Sequence, residues 1–254
     1  MEVINFRKYV FTELVKLFED TTEEYCRNEE IFGVGRNLIY TTLMNEIHRS
    51  SKRRIFAHRG LWNSESEQNS IKAISEAIQH GFAVETDLRC YSNEVIVSHD
   101  SPTEEVVRLF ELENWKDGRF ALNIKEDGLH EHFVPWRSVL EDSGSFLFDG
   151  STPDMLKYAQ SHIPIANRLS EVEELLKIAT KYVWLDAFQS EWWDLGTIQK
   201  LCDLGYEVII VSPELHGRNP SEVWDMFAKL CKSGKNVGIC TDFPIKVLDR
   251  VQNV

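Results

Sequence analysis

The sequence is poor in the features that mark several protein classes. It holds five cysteines in 254 residues, at positions 26, 90, 202, 231 and 240, with no Cys-x-x-Cys spacing. An odd, scattered set argues against a disulfide framework or a zinc cage and leaves reduced, mostly buried thiols. Basic residues are scarce: 28 Lys and Arg stand against 41 Asp and Glu, for a net charge of −13. That balance argues against a nucleic-acid partner, whose phosphates need a basic footprint, and against an anionic membrane surface. No run approaches the roughly 18 apolar residues of a transmembrane segment. Glu2, Arg7, Lys8 and Glu13 interrupt the first apolar residues, so a signal-peptide core is missing and a cytoplasmic location is the expectation. A local cationic pocket can still hold one phosphate, so small phosphorylated substrates stay open.

What is present is an ordinary globular composition, 43% hydrophobic and 27% charged, in a length that suits one α/β barrel. Phe6, Val10, Leu14, Leu17 and Phe18 recur at helical steps, so residues 1–50 read as a helical N-terminal extension. From residue 51 to 254 the pattern changes to short apolar runs alternating with helical stretches. Eight runs are expected as strands: Arg54–His58, Phe82–Leu88, Phe120–Lys125, Phe146–Asp149, Ile163–Asn167, Tyr182–Asp186, Glu207–Val211 and Asn236–Thr241. Helices are expected over Ile71–His80, Pro153–Ser161, Ser170–Thr180, Leu195–Leu204 and Pro220–Ser233. Ser170 and Glu173 have capping-box spacing. The fold class is therefore α/β, a (β/α)8 TIM barrel with an N-terminal helical extension.

One further run, Val95–Val97, lies too close to Leu88 for a parallel crossover. It reads as the returning arm of a hairpin that turns near Ser92-Asn93. With the turn centred on Asn93, Asp87 lies opposite His99.

Polar residues collect at the C-terminal strand ends, where a barrel builds its site. They are His58 and Arg59, Glu85 and Asp87, His99 and Asp100, Asn123 and Lys125, Asp149, Asp186 and Asp242. Glu85 and Asp87 are two apart on a strand, so both carboxylates face one way. Adjacent inward anions repel and resist desolvation, and a hard divalent cation offsets both costs. His58 and His99 each close a short apolar strand and suit general acid and base. Arg59 and Lys125 supply donors for a phosphate. The other histidines, at 48, 80, 130, 132 and 162, have no such setting. Glu214, His216 and Arg218 read as a surface loop that is able to enter the pocket.

These residues resemble the glycerophosphodiester phosphodiesterase family, related to phosphatidylinositol-specific phospholipase C. Ala57-His58-Arg59-Gly60 is similar to its opening motif, and Asn69-Ser70 to the pair that follows. Ala77–Asp87 resembles its helix-Gly-strand passage ending in ExD, Val95–Asp100 its returning His-Asp strand, and Thr241-Asp242-Phe243-Pro244 its closing TDxP. The resemblance implies a TIM barrel of lipid metabolism that cleaves a small phosphodiester. It implies His58, His99 and Arg59 as catalytic residues, with Arg59 and Lys125 binding substrate. It implies Glu85 and Asp87 as ligands to Mg2+ or Ca2+, with Asn123 in the place of the third. In that family the metal acts as Lewis acid, and a cyclic phosphate can precede hydrolysis.

Departures are visible. Gln68 and Asn123 stand where the family has glutamates, and Asp149 is a substitute anion for the third ligand. These departures favour an alternative, a weak or inert barrel that binds a phosphorylated ligand or a protein partner. A lyase that stops at a cyclic phosphate is a third option. The whole reading requires two carboxylates and two imidazoles around one cation. An arginine or lysine bridging the acidic pair would fill that cation's place and remove its basis.

Overall fold

The computed structural model describes residues 52–102, 106–113 and 115–253. The expected helical extension over residues 1–50 lies outside them. Ten strands form one sheet: β1 (Ile55–His58), β2 (Ala83–Tyr91), β3 (Glu94–Val97), β4 (Val107–Arg108), β5 (Phe120–Ile124), β6 (Phe146–Phe148), β7 (Ala166–Leu169), β8 (Tyr182–Leu185), β9 (Glu207–Val211) and β10 (Val237–Thr241). Parallel pairing runs β6-β5-β2-β1-β10-β9-β8-β7. A parallel bridge from Leu147 to Ile165 joins β6 to the entry of β7 and closes the ring. The result is the eight-stranded parallel barrel that the alternating pattern predicts.

Among the described residues seven α-helices accompany the strands: α1 (Ile71–Gln79), α2 (His130–Phe133), α3 (Arg137–Ser143), α4 (Thr152–Gln160), α5 (Leu195–Asp203), α6 (Ser221–Lys232) and α7 (Pro244–Asn253). Ser70 caps α1 by accepting from the Ala73 amide, and α7 opens on a proline, whose missing N–H costs nothing there. Gly60, at φ +92°, precedes α1 in a left-handed turn; a β-carbon on it would lie 2.6 Å from the Ala73 carbonyl carbon.

Alternation along the strands separates two cores. Ile55, Ala57, Val84, Leu122, Leu147, Val183 and Ile210 face outward to the helices. Phe56, Ala83, Ala121, Phe146, Phe148, Ala166, Tyr182, Trp184, Ile209, Val211 and Cys240 fill the barrel. Burying each large side chain contributes roughly 1.5–3 kcal/mol. Continuing the inward series by steps of two reaches His58, Glu85, Asp87, Asn123, Lys125, Arg168, Asp186 and Asp242. The polar residues of the mouth are thus the upper layer of the same inward face. At the opposite end Arg119 donates to Glu207 (2.7 Å) and covers the Phe56 ring.

Two expectations need correction. No helix spans Ser170–Thr180: Ser170 and Glu173 instead form an antiparallel bridge, and the Glu173 carboxylate pairs with Arg168. An ion pair to an inward arginine outcompetes the capping box. The hairpin is displaced by one residue. Leu88 pairs with Val97 and Tyr91 with Glu94, leaving a two-residue turn at Ser92-Asn93, both with positive φ. The Ser98 amide, not that of His99, donates to the Asp87 carbonyl (3.0 Å). A one-residue slip exchanges the faces of a strand, so the opposition of Asp87 and His99 does not occur.

Candidate active site

His58 ends β1 with its side chain at the barrel mouth. Its Nδ1 lies 2.7 Å from Asp242 Oδ1, just beyond β10, and its Nε2 lies 3.8 Å from Glu85 Oε2 on β2. Register explains the first neighbour: Ala57 pairs with Thr241, so the next residues on each strand face each other. Burial pulls the imidazole down, but the Asp242 hydrogen bond and the Glu85 charge outweigh it and raise the pKa. Donating Nδ1–H to Asp242 fixes one tautomer and leaves Nε2 for proton transfer.

Arg59 follows at φ +56°, unusual for a long side chain. Its amide donates to the Glu85 carbonyl at 2.9 Å. Its Nε lies 2.9 Å from Asp87 Oδ2, while Gln68 accepts from its other arm at 3.0 Å. A neutral Gln68 orients the guanidinium without neutralising it. Lys125, just past β5, reaches Asp87 Oδ1 at 3.1 Å, and Asn69 donates to Asp87 Oδ2 at 2.9 Å.

The acidic pair is therefore split. Both oxygens of Asp87 are engaged, and although burial pushes its pKa up, Lys125 and Arg59 hold it below the ordinary value. No arginine or lysine makes an ion pair with Glu85 among the described residues. Burial, then the Asp87 charge, pushes its carboxyl up to about 7. The cation-bridging condition set by the sequence is met at Asp87 and not at Glu85. His58 and Glu85 are in contact and Asp87 follows two residues on the same strand, while no ion pair or hydrogen bond joins the His99 side chain to them among the described residues.

The metal donor set can be judged on its chemistry. Among the described residues no three His, Cys, Asp or Glu side chains form a metal cluster, so a cation depends on Asn123. Asn123 pairs in register with Asp87, and its Oδ1 is buried without a hydrogen-bond partner. An orphaned acceptor beside an under-compensated carboxylate fits a hard cation. Asn123 offers a free oxygen; Glu85 Oε2 already accepts from the Arg59 amide at 3.3 Å, and Asp87 shares its oxygens with Arg59 and Lys125.

No ion pair or hydrogen bond joins the His99 side chain to this set among the described residues. Its ring is 47% exposed and its Nδ1 lies 2.9 Å from Asp100. Asp149, the substitute anion, follows β6 at φ +65° and pairs with Arg168 at 3.1 Å. Burial pushes Asp149 up to about 6, against Arg168 and Lys125.

One residue of the mouth escaped the sequence reading, Arg168, and a second, His216, read there as part of a surface loop able to enter the pocket, is joined to the mouth through Asp186. Arg168 is inward by the alternation Ala166-x-Arg168, a signal that was available. His216 lies in a short turn after β9, Pro213–His216, and its Nε2 is 2.8 Å from Asp186 Oδ1. Glu214 in that turn accepts from the Thr241 hydroxyl and the Asp242 amide (3.2 Å), joining it to β10. Two surface clefts of about 510 and 540 Å3 lie on the barrel's exterior and include none of these side chains.

No protein-family model and no curated protein matches the sequence. Solved structures do. A glycerophosphodiester phosphodiesterase from Agrobacterium tumefaciens is 15% identical, with a TM-score of 0.54, over 77% of this chain and 99% of that one. A Ca2+-dependent phosphatidylinositol-specific phospholipase C from Streptomyces antibioticus is 12% identical, with a TM-score of 0.46, over 76% of this chain and 95% of that one. The barrel described here thus shares its fold with a glycerophosphodiester phosphodiesterase.

Proposed function

We propose that the protein cleaves a small phosphodiester, of the glycerophosphodiester kind, at the barrel mouth. One observation carries this reading: His58 sits between Asp242 and Glu85, beside two cations, Arg59 and Lys125, that share one carboxylate. A phosphate entering there meets a forked donor and a point charge. His58 Nε2 takes the proton of the attacking hydroxyl or water, and Asp242 stabilises the imidazolium that forms. A second imidazole is needed to protonate the departing alkoxide. The candidates are His99, half exposed and turned to Asp100, and His216, held by Asp186.

Glu85 and Asn123, with Asp87, would hold Mg2+ or Ca2+. Bound there, a divalent cation supplies Lewis-acid charge at the phosphate oxygens. Arg59 and Lys125 already neutralise Asp87, so its affinity is expected to be modest.

The test is release of phosphomonoester from a panel of glycerophosphodiesters, with Mg2+, with Ca2+ and after EDTA. Turnover of at least one diester is expected. A folded protein that cleaves none overturns the reading. In that case the clamped Asp87 favours the second reading, a barrel that binds a phosphorylated ligand without turnover. Phosphate binding by calorimetry in the absence of activity would identify it.

A further inference from the structure

We propose that His216, held by Asp186, is the second proton carrier of the mouth, in the role that the sequence pattern gives to His99. The inference rests on the phosphodiester reading and assigns one of its residues.

Position comes first. Asp186 continues the inward series Tyr182, Trp184 on β8, so its carboxylate belongs to the mouth. The turn that carries His216 is not a free loop. Glu214, two residues earlier, accepts from both Thr241 and Asp242, and Asp242 is the residue that orients His58. One carboxylate therefore ties the segment holding His216 to the partner of the first imidazole. Arg218 fixes the other side by donating to the carbonyls of Ala187 (2.5 Å) and Phe188 (3.1 Å), and the Phe188 ring meets His216 edge-on at 5.5 Å.

Electrostatics agrees with this placement. The buried Cys240 thiol, inside the barrel, is raised by burial and then by Glu85, Asp242, Glu214 and Asp186. The carboxylates of both histidine pairs thus act on the same buried thiol. Asp149 feels the charges of both Lys125 and Asp186.

Chemistry then distinguishes the two candidates. His216 presents Nε2 to a buried carboxylate, and its Nδ1 has no hydrogen-bond partner among the described residues. It repeats the His58–Asp242 design with the two nitrogens exchanged. His99 pairs with Asp100, whose side chain is 92% exposed, and lies one residue out of register with Asp87. The nucleophile's oxygen bonds to phosphorus and its proton passes to His58 Nε2. The bond to the leaving oxygen breaks, and that oxygen takes a proton from His216 Nδ1–H. With water as nucleophile the product is a monoester. With a neighbouring hydroxyl it is a cyclic diester, which water opens with the roles reversed.

The experiment compares His216→Gln, Asp186→Asn and His99→Gln on two diesters, one with an alkyl and one with a p-nitrophenyl leaving group. An alkoxide needs a proton to depart and a nitrophenoxide does not. His216→Gln is expected to slow the alkyl substrate about 100-fold or more and the nitrophenyl one only a few-fold. Asp186→Asn should show the same selectivity with a smaller loss. Equal slowing of both substrates by both variants means a structural brace and overturns the inference while the phosphodiester reading stands. Selective loss in His99→Gln overturns it in favour of His99. Wild-type protein that cleaves neither substrate overturns both. As a readout besides activity, inorganic phosphate should shift the imidazole NMR signals of His58 and His216. A shift at His99 with none at His216 counts against the proposal.

Discussion

The two halves of the barrel mouth are built differently. On the side of β1, β2 and β5 the inward residues below the rim are small at Ala83 and Ala121, and the groups above them are His58, Glu85, Asp87, Asn123 and Lys125. On the side of β6 to β8 the interior is aromatic: Phe146 stacks on Tyr182 at 4.6 Å and Phe148 meets Trp184 at 4.1 Å. Polar groups there form closed pairs, Arg168 with Asp149 and Glu173, and His216 with Asp186. The first half is under strain in a buried setting, with burial and Asp87 pushing the Glu85 carboxyl up to about 7 and the Asn123 oxygen orphaned. The second half is more nearly paired, though burial still pushes Asp149 up to about 6 and His216 Nδ1 has no hydrogen-bond partner among the described residues. Stored electrostatic tension marks where a ligand is needed, and it lies on the first half.

Substitutions can break that contrast. His58→Gln should lower turnover of a glycerophosphodiester about 100-fold or more with the thermal transition preserved, since general acid–base catalysis contributes on that order. A loss below tenfold would remove the first half from the chemistry. Next in size, Lys125→Gln should raise KM about tenfold, because a charge-assisted contact to phosphate is worth roughly 1.5–3 kcal/mol. Arg168→Gln should raise it less, its charge being held between Asp149 and Glu173. Equal effects would erase the distinction between halves.

Stability gives a third test. The Glu85 carboxyl ordinarily titrates near 4.5 and is pushed to about 7 when folded. Between those values the unfolded chain releases a proton that the folded one retains, so folding loses stability as pH rises. Glu85→Gln has no such loss. Its advantage over wild type should therefore grow from pH 5 to pH 8, by on the order of 1–3 kcal/mol, read as a rise in Tm. Millimolar Mg2+ or Ca2+ should raise the wild-type Tm at pH 8 by a degree or two at most and leave Glu85→Gln unmoved. The smallest effect is expected from His99→Gln, under about threefold in rate for a side chain turned to an exposed partner. A large loss would restore His99 to the site.

The barrel was legible in the sequence because period-two alternation survives on its strands. Phe82–Leu88 and Phe120–Lys125 were located within a residue or two at their N-terminal ends, and their carboxylate, amide and ammonium groups fell on the inward face as expected. What failed depended on side chains distant in sequence. Ser170 and Glu173 have the spacing of a helix start, yet Arg168 draws Glu173 away. The hairpin register turned on whether one or two residues occupy the bend, which polar composition at Ser92-Asn93 does not decide. His216 read as surface because its neighbours, Asp186 and the Glu214 anchor on Thr241, belong to other strands.

Gly60 draws the first loop and the first helix into a single unit. Its bare α-carbon lets the backbone of α1 approach closely enough for Leu61 to donate to the Ala73 carbonyl at 2.8 Å. A methyl group there would wedge the helix start outward and carry Asn69 with it, whose amide spans Thr86 and Asp87. The spacing between two acidic side chains and their clamp is thus set, at a distance, by a residue that has no side chain at all.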